Sequence, residues 1–169
     1  KYNIKAVSMS HGSMSRNTKL SDYCVKIPTV TASIDALSSS GVPVFLSAGN
    51  DRIINRINWP ACIPSAIAVS ATDQRGEVTL YTNYDPLLTD FFSQGNITAM
   101  LPGGKVVNVA GTSASVQTAA ADWISLKSAK PALSYAELYN LIIKTSKLAP
   151  GAKIKGARLF DLAGAINGQ

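Results

Sequence analysis

Apolar and polar positions change rhythm several times along the chain, and each change predicts an element. Residues 4–10 (IKAVSMS) read as a short buried strand. Residues 13–26 are polar and irregular. From Ile27 apolar residues recur at helical spacing through Val30, Ile34 and Leu37, and Gly41 ends the run. Residues 42–47 (VPVFLS) are almost continuously apolar, as in a strand buried on both faces. Pro43 stands near its start, where a missing N–H is tolerated. Residues 50–61 read as a loop, 66–72 (AIAVSAT) as a second buried strand, and 73–109 as short strands and turns. An Ala-rich helix is predicted over 112–128. An amphipathic helix follows over 134–147, with Leu138, Leu141 and Ile142 on one face and Ser134 and Glu137 at capping-box spacing. Strand, helix and strand joined by a short crossover form the βαβ unit of a parallel sheet. The first segment already has the character of an interior strand, which would leave an open edge. The expectation is that something outside this sequence covers it.

Composition narrows the class. The chain has 169 residues, 46% hydrophobic and 15% charged, which is the balance of one globular domain and not of a disordered segment. No apolar run reaches the roughly 18 residues of a membrane span, and no signal-peptide pattern opens the chain. Net charge is +6, with a mild cluster at Lys144, Lys147, Lys153, Lys155 and Arg158. The other cations are scattered, and no zinc spacing or aromatic-rich basic strand accompanies them. The balance reads as a solvated basic surface, with neither nucleic acid nor membrane expected as a partner. Cys24 and Cys62 can pair or stand as small buried thiols. Spacing does not decide between these, and thiols are the more ordinary reading. Two cysteines and the single histidine make no credible metal site.

Two short segments carry candidate chemistry. Gly111-Thr112-Ser113-Ala114-Ser115 heads the Ala-rich helix. A serine there exposes its oxygen at a turn, and its N–H points out of a helix N-terminus that favours negative charge. It can act as a nucleophile whose own amide steadies an oxyanion. Taken alone, the motif is better read as an ordinary Thr/Ser N-cap. Ser47-Ala48-Gly49-Asn50-Asp51 follows the buried strand. Its Asn falls at the carboxyl edge of a parallel sheet, where sites of open α/β folds collect, and its amide is a neutral donor.

Taken in order, these segments resemble the subtilase family, the subtilisin-like serine proteases. Residues 6–12 (AVSMSHG) resemble the family's V-I-N-M-S-L-G strand. Residues 41–51 resemble G-V-x-V-x-A-A-G-N, and Trp59-Pro60-Ala61 resembles Y-P-A. Residues 66–73 resemble V-I-A-V-G-A-x-D, and Gly111-Thr112-Ser113 resembles the start of G-T-S-M-A-x-P. The likeness runs from about residue 4 to 166. It implies an α/β, three-layer subtilisin-like fold with a mostly parallel sheet flanked by helices, incomplete at its N-terminal side. Residues 1–169 would be the C-terminal portion of a single peptidase domain. By resemblance Ser113 matches the nucleophile and Asn50 the oxyanion-hole amide, with the Ser113 N–H as second donor. Ser10, His11 and Gly12 match the strand that pairs with substrate. Ser47, Ala48 and Gly49 match the opposite pocket wall, and Asn58 falls near the pocket base. Trp59-Pro60 matches a frequent cis proline. The carbonyls of Ala61, Ile63 and Ala66 match a weak cation site, with calcium its occupant in some members. No cofactor is required, the substrate would be a protein or peptide, and a secreted location is implied.

Departures from the family pattern bear on activity. The Met-Ala after the serine is Ala114-Ser115, the proline is Gln117, A-P-G reads Ser93-Gln94-Gly95, and the glycine of H-V-A-G is Ala121. The family's Asp and His are missing. His11 is followed by Gly12-Ser13-Met14, lies in the substrate-strand match, and stands too close to Asn50 in sequence to be the base. The expectation is a serine endopeptidase needing an N-terminal segment or companion chain that supplies Asp and His, inactive as this chain alone. The alternative is a catalytically inactive pseudoprotease serving as a structural or binding module. A third reading is a basic binding protein unrelated to hydrolysis.

Overall fold

The computed structural model describes residues 3–13, 24, 27–150 and 156–168. In chain order the elements are β1 (Val7–Met9), α1 (Pro28–Ser39), β2 (Val44–Ser47), β3 (Ile67–Thr72), β4 (Phe91–Gln94), β5 (Asn96–Met100), β6 (Val106–Ala110), α2 (Thr112–Ala129), α3 (Tyr135–Thr145), β7 (Lys147–Leu148), β8 (Arg158–Leu159) and α4 (Leu162–Asn167). A six-stranded sheet runs in the order β1-β2-β3-β4-β8-β7, parallel except for the terminal β7–β8 pair. The strands β5 and β6 form a separate antiparallel hairpin.

Every residue of β2 and β3 is buried, as a strand covered on both faces requires. Alternation along β2 divides the core in two. Phe45 joins Ile67, Val69 and Phe91 beneath Val116, Ala119, Trp123 and Leu126 of α2 and Leu138 and Ile142 of α3. Val44 and Leu46 turn the other way, onto Ile34 of α1 and Ile57, Ile63 and Ala66 of the following loop. The result is three layers, helix, sheet and helix. Small residues at Ala114, Ala119 and Ala120 let α2 lie close to the strands.

The predicted helices stand with small shifts at their ends. Ile27 becomes the N-cap of α1 and Pro28 its first residue, a position where a missing N–H costs nothing. Gly41 follows the end of that helix at φ +82°. The capping box of α3 forms in both directions between Ser134 and Glu137. The buried strand expected over 4–10 is shorter and only half-buried, because β1 is the outermost strand of the described sheet and nothing described pairs with its outer edge. Periodicity did not reveal the closing elements β7, β8 and α4. Two-residue strands carry no period to read.

The cysteine reading is corrected. Cys24 and Cys62 are joined in a disulfide with Cα atoms 5.7 Å apart, not free thiols. Within the basic cluster Lys147 pairs with Asp161, while Arg158 donates to the Ile143 carbonyl and to Ser146. Lys153 and Lys155, and most of the polar stretch 13–26, lie outside the described residues. No described helix is long and apolar enough to cross a membrane.

Candidate active site

Hairpin β5–β6 delivers the chain to Gly111 at the carboxyl end of the sheet, and α2 begins at once. Gly111 is the N-cap at φ 143°, ψ 161°, a conformation that glycine alone adopts readily, and no side chain within the segment caps the helix. The plain Thr/Ser cap reading therefore fails. The capping acceptor comes from the loop after β2 instead. Asn50 Oδ1 accepts from the Thr112 N–H at 2.9 Å and from the Thr112 hydroxyl at 3.0 Å. Thr112 Oγ1 in turn accepts from the Gly49 N–H at 3.1 Å.

That arrangement fixes the orientation of the Asn50 carboxamide. An N–H donor must face the oxygen, so the NH₂ faces away from Thr112. Neither Asn50 Nδ2 nor the Ser113 N–H has an acceptor among the described residues. Both nitrogens lie close to Gly111. A Cβ added to Gly111 would lie 3.5 Å from Asn50 Nδ2 and 3.8 Å from the Ser113 nitrogen. Two free N–H donors beside one hydroxyl, at a helix N-terminus, can hold an oxyanion while that hydroxyl attacks.

Ser113 is the second residue of α2 and is half-buried. Its Oγ donates to the Ser10 carbonyl at 3.4 Å, and Ser10 Oγ donates to the Ser113 carbonyl at 3.0 Å. No described imidazole accepts from Ser113. His11 is exposed and makes no hydrogen bond among the described residues.

The predicted walls come together around Asn58. Gly12 approaches it so closely that a Cβ there would lie 3.2 Å from the Asn58 Cβ. Gly49, at φ +108°, is tighter still, and a side chain there would collide with the carboxamides of Asn58 and Asn83. Ser47 and Ala48 are buried, with the Ala48 N–H bonded to the Val69 carbonyl at 3.0 Å and its own carbonyl accepting from the Asn58 N–H at 2.8 Å. Ser13 and Trp59 exchange backbone bonds of 2.9 and 3.1 Å, which holds the Ser10–Gly12 wall against the loop. The Trp59–Pro60 bond in that loop is cis.

Sequence reasoning missed three residues that support the site. Asn83 is fully buried. Its Oδ1 accepts from the Asp51 and Ile53 N–H groups at 2.9 and 3.1 Å, and its NH₂ is shared among the Ala48 carbonyl, Asn58 and Asp51. Tyr81 Oη accepts from the Gly111 N–H at 3.1 Å and donates to Asn96 at 2.8 Å. Thr112 links the two strand-end segments as described above. The Asn-Tyr pair at 83–84, within Tyr81-Thr82-Asn83-Tyr84-Asp85, looks like any turn, and nothing in the sequence around it hints at a role.

Ala61, Ile63 and Ala66 are buried, and the Ile63 carbonyl already accepts from the Ala66 N–H at 2.9 Å. No cluster of three metal-ligating side chains occurs among the described residues. Three neutral carbonyls, one of them engaged, lack the anionic oxygens on which calcium sites draw, and the set does not fit a firm site.

The sequence profile described as the subtilase family matches residues 1–164. The chain is 26% identical to Subtilisin BL of Lederbergia lenta over 134 residues, covering 79% of this chain and 49% of that protein. It is 35% identical over 77 residues to alkaline serine protease ver112 of Corniculantispora psalliotae, covering 46% of this chain and 20% of that protein. Among solved structures, the self-cleaved protease domain of PatA superposes with a TM-score of 0.79 at 18% identity, covering 96% of this chain and 61% of that one. The prenylagaramide maturation protease PagA gives the same TM-score over 97% of this chain and 62% of its own. The chain thus spans about half the length of the full-chain subtilisin it matches.

Proposed function

The chain belongs to the subtilase family, and we propose that it is the Ser-bearing half of a serine endopeptidase whose Asp and His come from a segment outside this sequence. The observation that carries the reading is the pair of unengaged donors, Asn50 Nδ2 and the Ser113 N–H, both close to Gly111 at the head of the helix that bears the Ser113 hydroxyl. Two further features support it. Among the described residues no base reaches Ser113. The outer edge of β1 and the exposed row Gln117, Ala121, Ile124 and Ser128 of α2 offer a face on which such a segment would rest.

In this reading a peptide strand lies along Ser10–Gly12, and its reacting side chain enters between that wall and Ser47–Gly49, above Asn58. Ser113 Oγ attacks the carbonyl carbon while the His of the missing segment takes its proton. The carbonyl oxygen, now negative, accepts from Asn50 Nδ2 and the Ser113 N–H. The tetrahedral adduct collapses, the amine leaves with the proton, and water repeats the attack on the acyl-enzyme to release the acid. Every group required belongs to protein, so the reaction calls for no cofactor. The Cys24–Cys62 disulfide supports an oxidising, extracytoplasmic location.

Fluorophosphonate labelling of the full-length protein with peptide mapping tests the reading. A label on Ser113 is expected. An unlabelled, folded protein would replace it with a pseudoprotease that keeps the fold as a binding module.

A further inference from the structure

Where the family pattern has a proline, this chain has Gln117, one helical turn beyond Ser113. Residues i and i+4 share a helix face, so Gln117 and Ser113 stand one above the other on the side of α2 that meets β1. Residues two apart on a strand also share a face. Val7 and Met9 turn onto the α1 side of the sheet, which leaves Ser8 and Ser10 facing α2.

These two rows are joined by a directed relay. Ser8 Oγ donates to Gln117 Oε1 at 2.9 Å, which sets the carboxamide orientation. Gln117 Nε2 donates to Ser10 Oγ at 2.9 Å. Ser10 Oγ donates in turn to the Ser113 carbonyl at 3.0 Å, and Ser113 Oγ donates to the Ser10 carbonyl at 3.4 Å. Each donor has one acceptor. A proline at this position would supply neither the acceptor for Ser8 nor the donor for Ser10.

We propose that Gln117 is a positioning residue that sets the substrate strand Ser10–Gly12 against the nucleophile, so that an extended peptide is held in register with Ser113 Oγ. The inference rests on the endopeptidase reading above. Gln117 touches no reacting atom in this scheme and acts through Ser10. Its loss loosens the strand that an extended peptide pairs with, while a substrate too short to reach that strand is little affected.

The test uses the full-length protein and Q117M, which keeps the length and bulk of the side chain without its hydrogen bonds. Wild type is first treated with fluorophosphonate. An unlabelled Ser113 sinks the catalytic reading, and this inference with it. With wild type labelled, kcat and KM are measured on an N-acetyl single-residue ester and on a tetrapeptide ester with the same reacting residue. The tetrapeptide's advantage in kcat/KM is expected to shrink about tenfold in Q117M, mainly through KM, in line with the loss of one or two hydrogen bonds. Q117E is expected to restore less than half of it, since a carboxylate cannot donate to Ser10. An unchanged advantage in Q117M overturns the inference. So does an equal loss on both substrates accompanied by a lower Tm, which would make Gln117 merely structural.

Discussion

The two ends of the central sheet each hold a part-buried or buried polar side chain, and they are built on opposite principles. At the carboxyl end Asn83 is sealed from solvent and fastens the loops after β2 by hydrogen bonds from one neutral carboxamide. At the amino end Asp90 accepts from the Ala68 N–H at 2.7 Å and from the Tyr139 hydroxyl, tying β3 and β4 to α3 with a carboxylate. Burial pushes Asp90 up to about 6, and its two hydrogen-bond donors only partly offset this. The two candidate donors of the site are neutral groups, a carboxamide and a backbone N–H. Two carboxyls of the scaffold are raised by burial to about 6, Asp90 at the far end and Asp122 on α2. Acid and base should act on stability in part through Asp90, at the end of the sheet away from Asn50 and Ser113.

Removing Asn83 is the hardest test of that contrast. N83A removes the five hydrogen bonds that a fully buried carboxamide makes to Asp51, Ile53, Ala48 and Asn58, at roughly 0.5–1.5 kcal/mol each. A total loss of about 4 kcal/mol is expected in denaturant unfolding of the full-length protein. A loss below about 1 kcal/mol would mean that the loops hold themselves.

N50A sharpens the same comparison from the chemical side. It removes one of the two unengaged donors and the acceptor that caps α2. The rate of Ser113 labelling should fall by about 10²–10³, the typical effect of one oxyanion donor. Unchanged labelling would separate Asn50 from the chemistry.

D90N tests the scaffold end. The folded pKa lies above the unfolded value of about 3.9, so the folded state binds more protons between those values, and stability falls as pH rises through this window. The two-unit gap corresponds to roughly 3 kcal/mol, present as stability below about pH 4 and lost by about pH 6–7. In D90N the slope should fall by about half while the labelling rate at Ser113 stays as in wild type, because burial raises Asp122 to about 6 as well and its share remains. A slope unchanged in D90N would leave Asp90 no share in it and assign the titration to Asp122.

The smallest effect belongs to the capping box. S134A should cost about 1 kcal/mol through the lost N-cap of α3.

Local pattern determined much of this protein. The apolar runs at 42–47 and 66–72 read as strands covered on both faces, being continuous in apolar character and too short for a buried helix. The periodicity of α1 and α3, the Ser134–Glu137 box and the stop at Gly41 depend on neighbours a few residues away, and so they were legible. The ordered motifs also pointed to Asn50 and Ser113. What the sequence could not convey were relations between distant segments. Thr112 as the partner of Asn50, Asn83 beneath both pocket walls, the Cys24–Cys62 pairing and the Gln117 relay join residues far apart in the chain. None of these leaves a periodic or compositional trace. A hydrogen bond has direction and a reach of about 3 Å, so its partner is chosen only when the sheet has brought the strand ends together.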